Sequence, residues 1–137
     1  MSAKRRVYAE GAAEPPPETW SNCLVVGDHV YIAGMTARGA DFKPLADMAE
    51  YDQAKVCLEK IKALIEAAGG TMTNIVKVNI FVTDIANREE VWRARREFFD
   101  GDFPVSTLLE ISKLVHPDML VEIEAVGFLG AGDTGSD

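Results

Sequence analysis

The fold of this chain is decided by residues 54–82, which read AKVCLEKIKALIEAAGGTMTNIVKVNIFV. The first half repeats apolar side chains every three or four residues, the pattern of an amphipathic helix, and we predict that helix over 47–68. Gly69 and Gly70 end it, because glycine adopts the left-handed conformation of a helix C-terminus without strain. The apolar stripe comprises Ala54, Cys57, Leu58, Ile61, Leu64, Ile65 and Ala68.

The segment after the two glycines, residues 75–82, is rich in β-branched side chains and predicts a strand. Because side chains alternate between the two faces of a strand, this one divides into two sets. The set predicted to pack beneath the helix is Val76, Val78, Ile80 and Val82. The opposite set is Lys77, Asn79 and Phe81.

The rest of the chain predicts an α+β fold in the order β-β-α-β-α-β-β. Strands are expected over 23–26, 30–33, 105–112 and 120–128, with a second helix ending near 99. Right-handed crossovers place both helices on one face of a mixed sheet. Residues 1–19 are predicted as an extended lead-in, 20–129 as a single domain, and 130–137 as a flexible tail.

The other face of the sheet is predicted to be uncovered. Besides the side chains from 77, 79 and 81, it is expected to carry Ser106, Leu108, Glu110, Leu120, Glu122, Glu124 and Val126. Large apolar groups and carboxylates are mixed on this face. That mixture suits neither bulk water nor an ordinary core, so we expect this face to contact another subunit.

Composition excludes several classes of function. The 137 residues include 14 basic and 22 acidic side chains, for a net charge of −8. That charge disfavours nucleic acid and anionic membranes as partners. No signal peptide and no apolar run of the ~20 residues that span a bilayer is recognisable, so a cytoplasmic location is expected. Cys23 and Cys57 lack metal-site spacing and are expected to be small buried hydrophobes rather than a disulfide.

Two carboxylates stand out as candidates for chemistry. Glu122 and Glu124 alternate with apolar residues, which places both on the uncovered face. Either they line an ordinary solvated strand, or Glu122 lies in a subunit cleft where burial raises its pKa and lets it hold a water molecule. The arginines of the second helix, Arg93, Arg95 and Arg96, lie beside Trp92 and are typical of a solvated helix face.

Three stretches of the chain resemble the Rid family, the YjgF-like reactive intermediate deaminases long labelled endoribonuclease L-PSP. They are VVGDHVYIAG over 25–34, IEAAGG over 65–70 with IVKV over 75–78, and VEIEAV over 121–126. The resemblance implies a chorismate-mutase-like fold and a homotrimer with clefts between subunits. It also implies hydrolysis of enamines and imines to 2-keto acids and ammonia without a cofactor.

The resemblance also assigns candidate site residues. Glu122 matches the glutamate that positions water, Gly34 matches the glycine that ends the second strand, and Trp20 stands where the family has a tyrosine. The family arginine that binds the substrate carboxylate is replaced by Ser106 in the stretch FPVST over 103–107. Trp92 stands in place of a pocket asparagine.

These substitutions leave the carboxylate anchor open. A serine hydroxyl cannot supply the planar, charge-assisted contact of a guanidinium. Arg38, in the loop after Gly34, is either a substitute anchor for an anion or a solvated loop residue. We therefore expect a divergent hydrolase of small imines or enamines, or alternatively a non-catalytic trimer that binds a metabolite or protein. Nuclease activity is the least favoured hypothesis, because the chain is acidic.

Overall fold

Residues 3–131 are described by a computed structural model, in which one six-stranded sheet carries two helices. The strands are β1 (Lys4–Arg6), β2 (Cys23–Val26), β3 (His29–Thr36), β4 (Ile75–Val82), β5 (Val105–Glu110) and β6 (Val121–Phe128). The helices are α1 (Glu50–Ala67) and α2 (Arg88–Arg95). The strand order across the sheet is β1-β2-β3-β6-β4-β5. The predicted α+β class with a mixed sheet is confirmed.

The topology follows from two crossovers. The β2–β3 hairpin turns at Gly27, whose φ of 61° requires the left-handed conformation. Strand β6 lies antiparallel between β3 and β4, so α1 connects two parallel strands across it. Helix α2 connects β4 to its parallel neighbour β5. Both helices pack on the same face and against each other, as predicted.

The core lies between α1 and the sheet. All seven residues of the predicted apolar stripe of α1 are buried. Gly69 ends the helical stretch at φ 104°, and the Gly70 N–H donates to the Ile65 carbonyl at 2.9 Å, which satisfies one of the last carbonyls. Cys23 and Cys57 are buried free thiols, as expected, and burial raises the pKa of Cys57 to about 12.

Two parts of the sheet differ from expectation. The N-terminal segment predicted as a lead-in contributes β1, and its Val7 and Ala12 are buried in the core. Val76 was predicted beneath the helix but is exposed, because a β-bulge between Ile75 and Lys77 shifts the register. Ile75 takes the buried position instead. The tail predicted over 130–137 lies, from 132 onward, outside the described residues.

The assignment of faces on β5 was wrong. Cα pairing with β4 aligns Ser106 with Val78 and Leu108 with Ile80, so both lie on the helix side of the sheet. The same register places Glu110 on that side and leaves the uncovered face to Val105, Thr107 and Leu109. The error has a physical cause: the sequence VSTLLE has no clean alternation, and β5 is an edge strand with little burial on either face. Leu120 precedes β6 and packs against the core, whereas the remaining side chains predicted on the uncovered face pair there across β4 and β6.

Candidate active site

Glu122 lies on the uncovered face, directly against the backbone of β3. It is half-buried and pairs with Thr36 of β3 and Phe81 of β4. Gly34 gives the carboxylate its space, since a Cβ atom added there would lie 2.6 Å from Glu122 Oε2. A glycine at the bulged part of β3 therefore lets a carboxylate pack onto main chain.

The surroundings of Glu122 raise its pKa above that of a glutamate in free solution. Burial raises the pKa of Glu122, the negative charge of Glu124 raises it further, and the positive charge of Arg38 lowers it. Glu124 is itself held in place, because Asn79 Nδ2 donates to its Oε1 at 3.0 Å. A carboxylate with a raised pKa is suited to accept a proton from water near neutral pH.

The loop after β3 places Arg38 beside this carboxylate. The Arg38 guanidinium lies 5.5 Å from the Trp20 ring centroid and 4.6 Å from that of Phe42, so it packs against both aromatic rings. Lys60 of α1 fixes the loop from the core side, with Nζ donating to the carbonyls of Thr36 at 2.7 Å and Arg38 at 2.8 Å. Burial lowers the pKa of Lys60. Arg38 is thus a partly buried and positioned residue.

A shallow concavity of about 430 Å³ opens beside Glu122. Its wall is mostly apolar, with one basic group. The lining residues are Phe81, Ile111, Lys113, Leu114, Val115 and Glu122.

Ser106 and Trp92 lie elsewhere, on the helix side of β5. Ser106 accepts a hydrogen bond from Arg95 Nη1 at 2.9 Å, so the hydroxyl at the family's arginine position is bound to an arginine from α2. The Arg95 guanidinium lies 5.9 Å from the ring centroids of both Trp92 and Phe103. The Arg88 guanidinium lies 5.7 Å from the Trp92 ring centroid. These side chains line a second concavity, of about 380 Å³, which is separate from the one beside Glu122.

The predicted site residues therefore form two separate groups within one chain. Gly34 and Arg38 lie beside Glu122, Trp20 lies against Arg38, and we call these four residues the glutamate group. Ser106 and Trp92 lie with Arg88 and Arg95 on the helix side of the sheet, and we call these four the arginine group. Arg88 and Arg95 were missed as site residues, although spacings of four and three from Trp92 put all three on one face of a helix.

A larger concavity of about 550 Å³, between the segment around Met72 and residues 96–104, contains none of the predicted site residues. Among residues 3–131, no three His, Cys, Asp or Glu side chains come together to hold a metal ion. Within the same span, the helices are too short or too polar to cross a membrane.

Known proteins resemble this chain over most of its length. The sequence profile of the family described as endoribonuclease L-PSP matches residues 11–128. A 2-iminobutanoate/2-iminopropanoate deaminase from Dermatophagoides farinae is 29% identical over 126 residues, which cover 92% of this chain and 97% of that protein. A RutC family protein from Pyrococcus abyssi is 27% identical, covering 92% of this chain and 98% of that protein.

Solved structures give the same picture. A protein of unknown function from Pseudomonas aeruginosa superposes with a TM-score of 0.89, at 42% identity and 100% coverage of both chains. RidA from an Antarctic Psychrobacter superposes with a TM-score of 0.78, at 26% identity, over 90% of this chain and 98% of that one. These likenesses confirm the predicted chorismate-mutase-like fold.

Proposed function

The chain belongs to the endoribonuclease L-PSP family, also called the Rid family, and from this premise we propose that it hydrolyses small imines or enamines and releases ammonia. One observation carries the proposal: the half-buried Glu122 carboxylate, packed on Gly34 and open to a concavity, has a raised pKa. The deaminase from Dermatophagoides farinae, similar over 92% of this chain, supports the same reaction class.

In the proposed reaction Glu122 positions the attacking water and accepts its proton. The water oxygen bonds to the imine carbon, the C=N π electrons move to nitrogen, and that nitrogen takes up a proton. The hydroxyl of the resulting carbinolamine then loses its proton, the amino nitrogen gains one, and ammonia leaves with the C–N electron pair as the C=O bond forms, which leaves a 2-oxo acid when the substrate is a 2-imino acid. An enamine enters the same path after protonation at carbon. No step requires a redox partner.

We further propose that the protein acts as a homotrimer in which the glutamate group of one subunit faces the arginine group of its neighbour. In a single chain Glu122 lies on the uncovered face, whereas Ser106 lies on the helix side of the sheet. One small molecule does not contact both groups there. The uncovered face also exposes apolar surface, including Tyr31 at 49% and Leu109 at 50%, which favours contact with another subunit.

Ammonia release from imines generated in place by an amino-acid oxidase tests the activity. We expect Glu122→Gln to lower turnover by about 10²–10⁴-fold, the range typical of losing a positioned acid or base. Glu124→Gln, assayed at a pH above the acid limb of the pH–rate profile, is the matched control, because it changes a carboxylate two residues away on the same strand face and keeps the acceptor for Asn79. Equal turnover in wild type and Glu122→Gln would remove Glu122 from the mechanism.

The alternative is a non-catalytic trimer that binds a metabolite or a protein in the same cleft. The observation that favours it is Ser106, which lacks the charge of the arginine that the family resemblance places there. The two functions separate in the same assay. If wild type releases no more ammonia than the uncatalysed reaction across alkyl, aromatic and acidic imino acids, the binding function replaces hydrolysis.

A further inference from the structure

The four arginines between residues 88 and 96 divide into two kinds. Arg93 pairs with Glu90 at 2.7 Å, and Arg96 lies 3.5 Å from Glu89. Arg88 and Arg95 have no carboxylate within ion-pair distance in the described part of the chain. These two arginines line one concavity on the helix side of β5.

That concavity has a local charge opposite to the charge of the protein. Its lining, taken over residues 3–131, holds both guanidiniums and no carboxylate: Ile85, Arg88, Trp92, Arg95, Phe103, Pro104, Ser106 and Leu108. The whole chain has a net charge of −8. The carboxylates that pair with Arg93 and Arg96 have no counterpart beside Arg88 and Arg95, so the local potential favours an anion.

The positive charge of Arg95 has few partners among the described residues. Ser106 takes one N–H of Nη1, and the buried Nε has no hydrogen-bond partner among the described residues. Burial lowers the pKa of Arg95, and the neighbouring Arg96 lowers it further. Arginine nevertheless stays protonated in proteins. A partly buried cation that keeps free donors gains from a carboxylate, which accepts charge-assisted hydrogen bonds.

Arg88 supplies a second positive charge across the same aromatic ring. The Arg88 guanidinium lies 5.7 Å and the Arg95 guanidinium 5.9 Å from the Trp92 ring centroid. Arg88 Nη1 donates to the Ile85 carbonyl at 3.2 Å, which fixes its direction and leaves other N–H groups for a ligand. Two cations that flank one indole match a ligand with two negative ends.

We propose that Arg88 and Arg95 form a paired-cation site that binds a small dicarboxylate, one carboxylate on Arg95 beside Ser106 and the other on Arg88. In this site the arginines of α2 bind the substrate carboxylate, which the uncharged Ser106 of β5 cannot bind with a charge-assisted contact. It rests on the proposed function in one respect only, that the dicarboxylate is the substrate: imines of acidic amino acids are then preferred over those of alanine or 2-aminobutanoate.

Binding of two stable 2-oxo acids to the full chain tests the site independently of turnover. The probes are 2-oxoglutarate, with two carboxylates, and 2-oxobutanoate, with one, measured by calorimetry and by the indole N–H signal of Trp92. We expect 2-oxoglutarate to bind about tenfold more tightly or better. Arg95→Met is expected to weaken its binding by roughly 30-fold or more, and Arg88→Met to remove the preference for two carboxylates.

Arg93→Met and Arg96→Met are the matched controls, since each removes an outward arginine of the same segment and leaves the concavity intact. Circular dichroism and sedimentation establish that each variant keeps the wild-type fold and assembly. The proposal is overturned if 2-oxoglutarate binds no more tightly than 2-oxobutanoate, or if Arg95→Met binds it as well as Arg96→Met does. Glu122→Gln separates the two proposals, because it lowers turnover by about 10²–10⁴-fold while both arginines, and with them the preference for two carboxylates, remain.

Discussion

The Glu122 carboxylate occupies the volume in which a side chain at Gly34 would lie. A Cβ atom on Gly34 would be 2.6 Å from Oε2 and 2.7 Å from Cδ of Glu122, closer than carbon atoms of real side chains approach such groups. The glycine and the glutamate are on adjacent antiparallel strands, β3 and β6. The position of the carboxylate therefore depends on the missing side chain of its neighbour.

Gly34→Ala should displace the Glu122 carboxylate and lower imine hydrolysis about as much as Glu122→Gln does. Inserting a methyl group into this contact is expected to cost about 1–3 kcal/mol of unfolding free energy. Ammonia release and urea unfolding measure the two effects. Gly39→Ala is the control, because a Cβ atom there meets Asp41 Oδ1 at 3.3 Å and no catalytic group. Wild-type turnover in Gly34→Ala would contradict the role given to this contact.

The charges around Glu122 should move the acid limb of the pH–rate profile in opposite directions. Glu122 accepts a proton in the proposed reaction, so activity rises as pH rises through its pKa. Glu124 raises that pKa and Arg38 lowers it. Glu124→Gln should therefore shift the acid limb of kcat/KM to lower pH, and Arg38→Met should shift it to higher pH.

The direction of each shift is the decisive observation. Measurement of kcat/KM from about pH 4, near the ordinary pKa of a carboxyl group, up to about pH 8 shows the direction in which the acid limb moves. Lys113 lines the concavity beside Glu122 and is not among the groups that shift the pKa of Glu122. Lys113→Met is therefore the control, and the acid limb of this variant should stay at the wild-type position. If Glu124→Gln and Arg38→Met move the limb in the same direction, another group controls it.

Strong periodicity predicted the parts of this fold that bury one face. Helix α1 and the two faces of β6 were predicted from such patterns, because each element has one continuous apolar side against the core. On β6, Glu122 lies on the side opposite to the apolar one. Strand β5 has no such apolar side, and the prediction therefore assigned its side chains to the wrong faces of the sheet. Because of this wrong assignment the sequence did not predict the arginine group, since Ser106 contacts Arg95 from the helix side of the sheet. The bulge that exposes Val76 likewise has no signature in the sequence, because Ile75 and Val76 are both β-branched and equally suited to face the core.

Lys60 should stabilise the chain through the loop that carries Arg38. Its Nζ donates to two carbonyls, and Lys60→Met leaves both without that donor, at an expected cost of about 1–3 kcal/mol. Urea unfolding measures the change. Lys62→Met on the exposed side of the same helix is the control and should stay within about 0.5 kcal/mol of wild type. Equal unfolding midpoints for the two variants would show that the Lys60 contacts contribute nothing.

The apolar side chains of the uncovered face should hold the subunits together. Leu109 is half exposed on β5 and pairs with Phe81, the neighbour of Glu122. Leu109→Glu places a charge in the proposed contact, so we expect dissociation to a folded monomer, since burying an unpaired charge costs more than this contact gains. Sedimentation measures the assembly, and circular dichroism the fold.

Hydrolysis should disappear together with the trimer. The glutamate and arginine groups lie on opposite sides of the sheet in one chain, so a monomer presents only half of the proposed cleft. Leu109→Met, which keeps an apolar side chain of similar volume, should retain both assembly and turnover. A stable wild-type monomer would refute the trimer, and a Leu109→Glu monomer with wild-type turnover would place the whole reaction within one chain, at Glu122 alone.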